Sequence, residues 1–244
     1  MILKKINLAL FLVVGASSSV FAVGCNPNVD GVKWYHVSAE RKALDYQAYN
    51  IASQKIEDEV KKDKLKKDSW GVILDIDETA LDSSANEYNN YKDYKFKESM
   101  YNKANAIAIP GAVKFTNLIH KLGGYVSFVT NRGGNDKNEF DATIKNLKQQ
   151  GIYFDQVLFS NKDDGKEQFN KNPRFKAVQT GEYNKNIILT NKLPAHEVIA
   201  YFGDNVQDFP NMKQQSMQKA SSKAYEKFGS KYFIMPNPMY GSWQ

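Results

Sequence analysis

Two carboxylates stand two residues apart, directly after a short apolar run. The run Val72-Ile73-Leu74 ends at Asp75, and Asp77 follows one strand period later. If Asp75 closes a β-strand, side chains at i and i+2 share a face, so both carboxylates look into one small site. Carboxylates this close repel each other, and a divalent cation or a cluster of positive charge would relieve the repulsion. The alternative is an ordinary turn in which Asp77 and Thr79 cap the next element.

A second polar cluster follows the apolar run over residues 125–129. Thr130 and Asn131 offer a hydroxyl and an amide, and Arg132-Gly133-Gly134 predicts a glycine-rich turn whose backbone N–H groups suit an anion. Further along the chain, four basic side chains are candidates to reach a phosphate as positive charges. They are Lys162, Lys166, Lys171 and Arg174.

Two more acids follow the apolar run over residues 198–202. Asp204 opens a turn and Asp208 comes four residues later. Carboxylate oxygens without cysteine or histidine suit a hard cation such as Mg²⁺. The only cysteine is Cys25 and the three histidines show no ligand spacing, so a zinc cage and an internal disulfide are both excluded.

The order of the elements predicts how these residues meet. Continuous apolar runs that alternate with helix-like stretches are typical of a parallel sheet covered on both faces. Ligands of such sheets bind at the carboxyl ends of the strands, so the polar residues that end the four runs should share one edge. We predict helices over residues 38–66, over 111–122 with Pro110 at an N1-type position, and over 139–150 closed by Gly151.

The composition fits one large domain, with or without a small accessory part. The chain has 244 residues, of which 42% are hydrophobic and 25% charged, so it can bury a core and is not a disordered protein. The net charge is +6. The lysines of residues 61–67 interleave with Asp63 at a predicted helix end, which favours a solvated face over a patch for a nucleic-acid polymer.

The N-terminus has the pattern of a secretory signal peptide. Residues 1–5 are basic, residues 6–14 are apolar, and small residues lead to Ala22. The apolar run is shorter than the roughly 20 residues that a membrane span needs. We therefore predict a signal peptide over residues 1–22 and an exported domain over residues 23–244.

Cys25 leaves a second processing route open. Ala22-Val23-Gly24-Cys25 looks like a bacterial lipobox, in which the cysteine becomes the lipidated first residue and tethers the protein to a membrane. Ala22 stands where such boxes usually have Leu. In this route the removed segment is residues 1–24. In the other route Cys25 is a free thiol near the new N-terminus.

Together these motifs resemble those of the haloacid dehalogenase superfamily. The shared features are Asp75-x-Asp77-x-Thr79, Thr130, a following lysine, and Asp204-x-x-x-Asp208. The chain is more closely similar to the bacterial class C nonspecific acid phosphatases. That similarity lies in residues 34–49, 73–82, 129–132, 201–205 and 233–243, so it covers nearly all of the exported part.

The resemblance implies a role for each carboxylate. Asp75 would be the nucleophile that takes the phosphoryl group. Asp77 would protonate the leaving oxygen and then activate water against the aspartyl-phosphate. Mg²⁺ would bind Asp75, the backbone carbonyl of Asp77 and Asp204, with Asp208 supporting the site.

The resemblance also implies the groups that hold the phosphate. Thr130 and Asn131 would hold phosphate oxygens, together with one lysine. The family context resembles Lys-x-x-Arg-[Arg/Phe], which Lys171-Asn172-Pro173-Arg174-Phe175 fits. Lys166 is the competitor if residues 168–173 are an insertion, and Lys171 is the favoured choice.

The implied protein is an exported, Mg²⁺-dependent acid phosphatase with a Rossmann-like α/β core. A smaller helical part would come from the N-terminal segment and an insertion near residues 82–109. Substrates would be phosphomonoesters, including nucleoside monophosphates, and the location would be the periplasm or outer membrane of a bacterium. Monomer and homodimer both stay open.

Three rival functions come from other classes. A dehalogenase would use Asp75 but has no need of Asp77, and a non-catalytic storage or adhesive protein would need neither. A lipid-anchored protein that binds haem or nucleotides is compatible with phosphatase activity. The test is release of phosphate from p-nitrophenyl phosphate with and without EDTA. A protein that is inert with Mg²⁺ present would favour the binding-protein hypothesis.

Overall fold

A computed structural model describes residues 28–85 and 103–244. In chain order the strands are β1 (Trp70–Leu74), β2 (Leu81–Asp82), β3 (Ile107–Ala108), β4 (Tyr125–Gly133), β5 (Gln156–Ser160), β6 (Ile188–Leu189), β7 (Glu197–Gly203) and β8 (Tyr232–Ile234). Six of them form one sheet in the order β6-β5-β4-β1-β7-β8. Within this sheet only the pair β5 and β6 is antiparallel.

Of the six helices in the described residues, two precede β1 and the other four lie between later strands; the sequence predicted the second, third and fourth. The helices are α1 (Val29–Val37), α2 (Ala39–Asp63), α3 (Ala112–Leu122), α4 (Lys137–Gln149), α5 (Asn172–Thr180) and α6 (Gln214–Met217). Short 3₁₀ segments run over Lys162–Phe169, Val206–Asp208 and Ser222–Tyr225. Within the described residues, no helix combines the length and the apolar character that a membrane crossing requires.

Both faces of the sheet are covered by apolar packing. On one face Phe202 of β7 stacks on Tyr49 of α2 at 5.6 Å between ring centroids and contacts Phe115 of α3 at 4.6 Å. On the other face Tyr201 of β7 meets Phe175 of α5 edge-on at 5.6 Å. All five residues of β1 are buried, as expected for a central strand of a doubly covered sheet. Each fully buried large apolar side chain contributes about 1.5–3 kcal/mol.

The predicted helix boundaries need three corrections. Helix α2 ends at Asp63 rather than at residue 66, because Lys64 adopts a left-handed conformation with φ 51°. Helix α4 begins two residues earlier than predicted, because the Asp136 side chain accepts hydrogen bonds from the backbone N–H groups of Asn138 and Glu139. Pro110 is not at N1, since Gly111 is the N-cap of α3 with φ 95° and the proline precedes it.

A small antiparallel pair of strands marks the base of the predicted insertion. Leu81 pairs with Ala108, and Asp82 pairs with Ile107. Residues 86–102 of the predicted insertion lie outside the described residues, as do the predicted signal peptide over residues 1–22 and Cys25. The domain boundaries, the cleavage site and the lipid anchor stay predictions.

Candidate active site

The carboxyl ends of β1 and β7 bring three of the predicted acids together. Asp75 follows β1, and its backbone N–H donates to the carbonyl of Phe202 on β7 at 3.0 Å. Asp204 follows β7, and Asp208 ends the short 3₁₀ segment after it. One carboxylate oxygen of each acid lies within 4.8 Å of the others. The sequence therefore predicted correctly that the acids after these two strands meet.

Lys171 lies inside this acidic cluster. Its Nζ is 2.7 Å from Oδ1 of Asp75 and 2.6 Å from Oδ1 of Asp208, and the residue is only 3% exposed. Burial by itself would lower the pKa of Lys171, but the carboxylates of Asp208 and Asp75 outweigh it and raise this pKa. Lys166 is exposed on the preceding 3₁₀ segment. Of the two lysines that the sequence left in competition, Lys171 is the one beside Asp75.

The cluster carries more negative charge than its lysine balances. Burial, Asp208 and Asp77 raise the pKa of Asp75 to about 7, against the opposing effect of Lys171. Burial, Asp208 and Asp75 also raise the pKa of Asp204 well above its usual value. Three carboxylates around one lysine are an incomplete charge balance, and a divalent cation bound by oxygen ligands would complete it. The donor set fits a hard metal ion.

The two acids of the second turn have different partners. Oδ2 of Asp204 accepts from Nδ2 of Asn237 at 2.8 Å, and Oδ1 accepts from Thr79 Oγ1 at 3.4 Å. Both oxygens of Asp208 are taken, Oδ1 by Lys171 and Oδ2 by the backbone N–H of Asn205 at 2.9 Å. Each oxygen of both acids thus has a hydrogen bond, but of the two only Asp208 is paired with a cation in the described part of the chain, so the charge of Asp204 is the one left for a metal ion.

Asp77 faces the same cleft and is held by an arginine. Nε of Arg132 lies 3.1 Å from Oδ2 of Asp77, and Nη2 lies 2.7 Å from Oδ1. This is the two-pronged geometry that arginine makes with a carboxylate. In the sequence, Arg132 belonged to the predicted glycine-rich turn and to a stretch of family similarity, but its side chain was given no role.

Thr130 and Asn131 lie on β4 and are fixed by Arg174. Nη1 of Arg174 donates to the carbonyl of Thr130, and Nη2 donates to Oδ1 of Asn131 at 2.8 Å. Asn131 lines the cleft, whereas Thr130 is fully buried, with its hydroxyl oxygen accepting from the Arg132 N–H at 3.1 Å. Burial lowers the pKa of Arg174 to about 10. This arginine thus supports the strand beside the site.

The predicted glycine-rich anion cradle is wrong. Strand β4 continues through Gly133, whose N–H donates to Oε1 of Glu139 at 2.8 Å, and the N–H of Gly134 donates to the carbonyl of Ser160. The buried Glu139 carboxylate occupies the place that the prediction gave to a phosphate. Lys162 pairs with this glutamate at 3.1 Å. The cradle and Lys162 are therefore not part of the phosphate site.

The cleft itself holds about 300 Å³. Its lining includes six of the predicted residues, namely Asp75, Asp77, Asn131, Lys171, Asp204 and Asp208. Two aromatic residues that the sequence did not single out, Phe169 and Tyr240, line it as well. Phe169 is 54% exposed, and the Tyr240 hydroxyl donates to Oε1 of the buried Glu78 at 3.0 Å.

Asn237 and Tyr240 could not be assigned by local pattern. They lie in the C-terminal tail, more than 150 residues from Asp75. The sequence showed this tail only as a stretch of family similarity. The family similarity marked the tail as a functional segment, but the contacts of Asn237 and Tyr240 with the site depend on the fold.

Comparisons with known proteins agree with this geometry. The family model described as HAD superfamily, subfamily IIIB (Acid phosphatase) matches residues 12–243. The class C acid phosphatase from Bacillus anthracis with tungstate bound has a TM-score of 0.73 and 29% identity, over 91% of this chain and 88% of that chain. Another structure of the Bacillus anthracis enzyme gives a TM-score of 0.72 and 30% identity, over 88% and 86% of the two chains.

The family match spans every described residue except Gln244 and includes every residue of the acidic cluster. The sheet with its flanking helices is the haloacid dehalogenase type of α/β fold, as the sequence predicted. The chain belongs to the acid phosphatases of subfamily IIIB in this superfamily.

Proposed function

We propose that this phosphatase hydrolyses phosphomonoesters through an aspartyl-phosphate on Asp75 and depends on Mg²⁺. The observation that carries the proposal is the position of Lys171, 2.7 Å from Asp75 and 2.6 Å from Asp208, in a cleft that Asp77 also lines. A cation beside the nucleophile attracts the phosphoryl oxygens and stabilises the charge that develops on them.

Two chemical steps follow from this arrangement. An Asp75 oxygen attacks phosphorus while the bond to the leaving oxygen breaks, and Asp77 gives that oxygen a proton. Water then attacks the same phosphorus, Asp77 takes a proton from it, and inorganic phosphate leaves Asp75. Lys171 and Asn131, which line the cleft, hold the phosphoryl oxygens, and Thr130 would add its buried hydroxyl as a further donor. Bound between Asp75, Asp204 and the Asp77 carbonyl, Mg²⁺ would neutralise charge on the phosphoryl group.

The substrate range and location are further parts of the proposal. Phe169 and Tyr240 in the cleft support substrates with a planar leaving group, including nucleoside monophosphates. The pattern of residues 1–22 supports export to the periplasm or outer membrane of a bacterium, and Cys25 would supply a membrane tether. A homodimer remains the alternative to a monomer.

The nucleophile and the acid–base residue can be separated with p-nitrophenyl phosphate. Asp75→Asn should form no covalent intermediate. Asp77→Asn should release one burst of p-nitrophenol and then stall with phosphate on Asp75, because this leaving group needs little protonation but water lacks its base. The loss in turnover is roughly 10²–10⁴-fold. Rapid quench measures the burst of p-nitrophenol, and mass spectrometry of the Asp75 peptide detects the phosphate bound to it.

Three controls accompany this experiment. EDTA should abolish turnover, and added Mg²⁺ should restore it. Because tungstate is bound in the Bacillus anthracis relative, it should compete with substrate here. Steady turnover by Asp75→Asn, or phosphate found on another residue, would overturn the mechanism.

A further inference from the structure

Arg132 is anchored at one end and presents the other end to Asp77. It lies on β4, is buried, and its Nη1 donates to Oγ1 of Thr143 on α4 at 3.1 Å. Its Nε and Nη2 point the other way, to the two oxygens of Asp77 at 3.1 and 2.7 Å. The contact with α4 and the two-pronged contact with Asp77 thus use different nitrogens of the guanidinium.

Asp77 needs such a partner. It lies in the turn after β1, beyond the last residue of the strand, and its side chain is partly exposed to the cleft. Among residues 28–85 and 103–244, Arg132 is the basic residue that forms an ion pair with this carboxylate, whereas Lys171 pairs with Asp75 and Asp208. The direction of the Asp77 oxygens thus depends on Arg132.

We infer that Arg132 is the positioning residue for acid–base catalysis, holding the Asp77 carboxylate toward the leaving oxygen and then toward the attacking water. The inference rests on the proposed function, since it assumes the acid–base role of Asp77. Arg132 transfers no proton itself. Its rigid fork fixes both oxygens at once, which a lysine on a flexible stem does not.

A purely structural role would have a different signature. If Arg132 only ties β4 to α4 through Thr143, its replacement would slow all substrates by the same factor. If it positions Asp77, the loss should depend on how much the leaving group needs a proton, because misplacing a catalytic group by about 1 Å can cost about 10²-fold.

The test compares Arg132→Lys with Thr143→Val, which removes the anchoring contact and leaves the contact with Asp77 in place. For Arg132→Lys we expect the burst rate constant with p-nitrophenyl phosphate to stay within about 3-fold of wild type. Phosphoryl transfer from β-glycerophosphate, and hydrolysis of the aspartyl-phosphate, should fall by about 10–100-fold. Thr143→Val should show no such dependence on leaving group. Rapid quench measures each step.

A double mutant gives the second readout. If Arg132 acts through Asp77, then adding Arg132→Lys to Asp77→Asn should leave the rate constant for hydrolysis of the aspartyl-phosphate at the value of Asp77→Asn alone, whereas independent roles would make the losses multiply. A uniform loss across leaving groups, or multiplying losses, would overturn the positioning role. So would failure of both Arg132→Lys and Arg132→Gln to fold. Full activity of Asp77→Asn with β-glycerophosphate would instead refute the proposed function.

Discussion

At the scale of single residues, Asp204 and Asp208 are chemically identical but sit in different surroundings. One oxygen of Asp208 accepts from Lys171 and the other accepts from the backbone N–H of Asn205, so this carboxylate holds the lysine in place. Asp204 receives only neutral donors, from Asn237 and Thr79. A carboxylate whose charge is not already paired with a basic side chain is what a hard cation binds, which favours Asp204 as the metal ligand.

We therefore expect Asp204→Asn to weaken Mg²⁺ binding strongly and to remove most activity, because a neutral amide replaces a charged ligand. Asp208→Asn should change Mg²⁺ affinity less and should lower kcat at saturating Mg²⁺, since Lys171 loses a partner. Mg²⁺ titrations followed by calorimetry and by activity separate the two effects. Equal Mg²⁺ affinity in wild type and Asp204→Asn would remove Asp204 from the metal site.

At the scale of elements, the packing of α2 on α3 supports the loop that carries Asp77. The Tyr49 hydroxyl on α2 donates to the carbonyl of Thr79 at 2.8 Å. The same ring lies against Gly111, the N-cap of α3, where an added Cβ would be 3.0 Å from the Tyr49 Cβ and Cδ2 atoms. The close approach and φ of 95° both require glycine.

Gly111→Ala should accordingly destabilise the protein more than Gly151→Ala. Both glycines have positive φ, which costs an alanine roughly 1–2 kcal/mol. A Cβ at Gly151 meets only Val113 Cγ1 at 3.8 Å, whereas one at Gly111 is crowded by Tyr49, and such overpacking adds about 1–3 kcal/mol. Urea unfolding measures both. Equal free energies of unfolding for the two variants would contradict the crowding at Tyr49.

At the scale of the whole molecule, a buried charged network joins the N-terminal helices α1 and α2 to strand β2. Arg41 on α2 pairs with Asp45 and with Asp82, each at 2.8 Å, and its Nη2 donates to the Tyr35 hydroxyl at 2.9 Å. Burial raises the pKa of Asp45 to about 7, although Arg41 opposes this. Burial, with Asp82, raises the pKa of Glu78 to about 8.

These raised pKa values predict stability that decreases from acidic to neutral pH. Between the unfolded carboxyl pKa of about 4 and the folded values, the native state binds more protons, so the free energy of unfolding falls as pH rises. Each unit of difference is worth about 1.4 kcal/mol, and each kcal/mol shifts Tm by about 2–4 °C. Thermal melts in EDTA from pH 5 to 8 should show this decline.

Asp45→Asn is the matched variant for this measurement. The amide does not ionise, so the decline of Tm with pH should be shallower than in wild type. The difference in Tm between the variant and wild type should grow in favour of the variant as pH rises. Parallel Tm profiles would show that Asp45 does not contribute to the pH dependence.

The sequence by itself determined the central strands and the acids that follow them. Buried parallel strands are continuous apolar runs, and the polar residue after each run is read directly, so Asp75 and Asp204 could be found without coordinates. For the phosphate-binding lysine, local sequence context alone left two candidates, Lys171 and Lys166. The short strands β2, β3, β6 and β8 were missed, because two or three residues carry too little periodicity to be recognised.

Only the tertiary structure decided which side chains contact each other across the site. Asp77 and Arg132 are 55 residues apart, and Asp204 and Asn237 are 33 apart. Such pairs depend on the order of strands in the sheet and on where the C-terminal tail returns, neither of which leaves a local pattern. The predicted glycine turn shows the same limit. Its N–H groups suited a phosphate in the sequence, but in the fold the Gly133 N–H donates to Glu139 of α4 and the Gly134 N–H donates to Ser160. Short-range periodicity specifies elements, whereas contacts across the sheet edge are specified by packing.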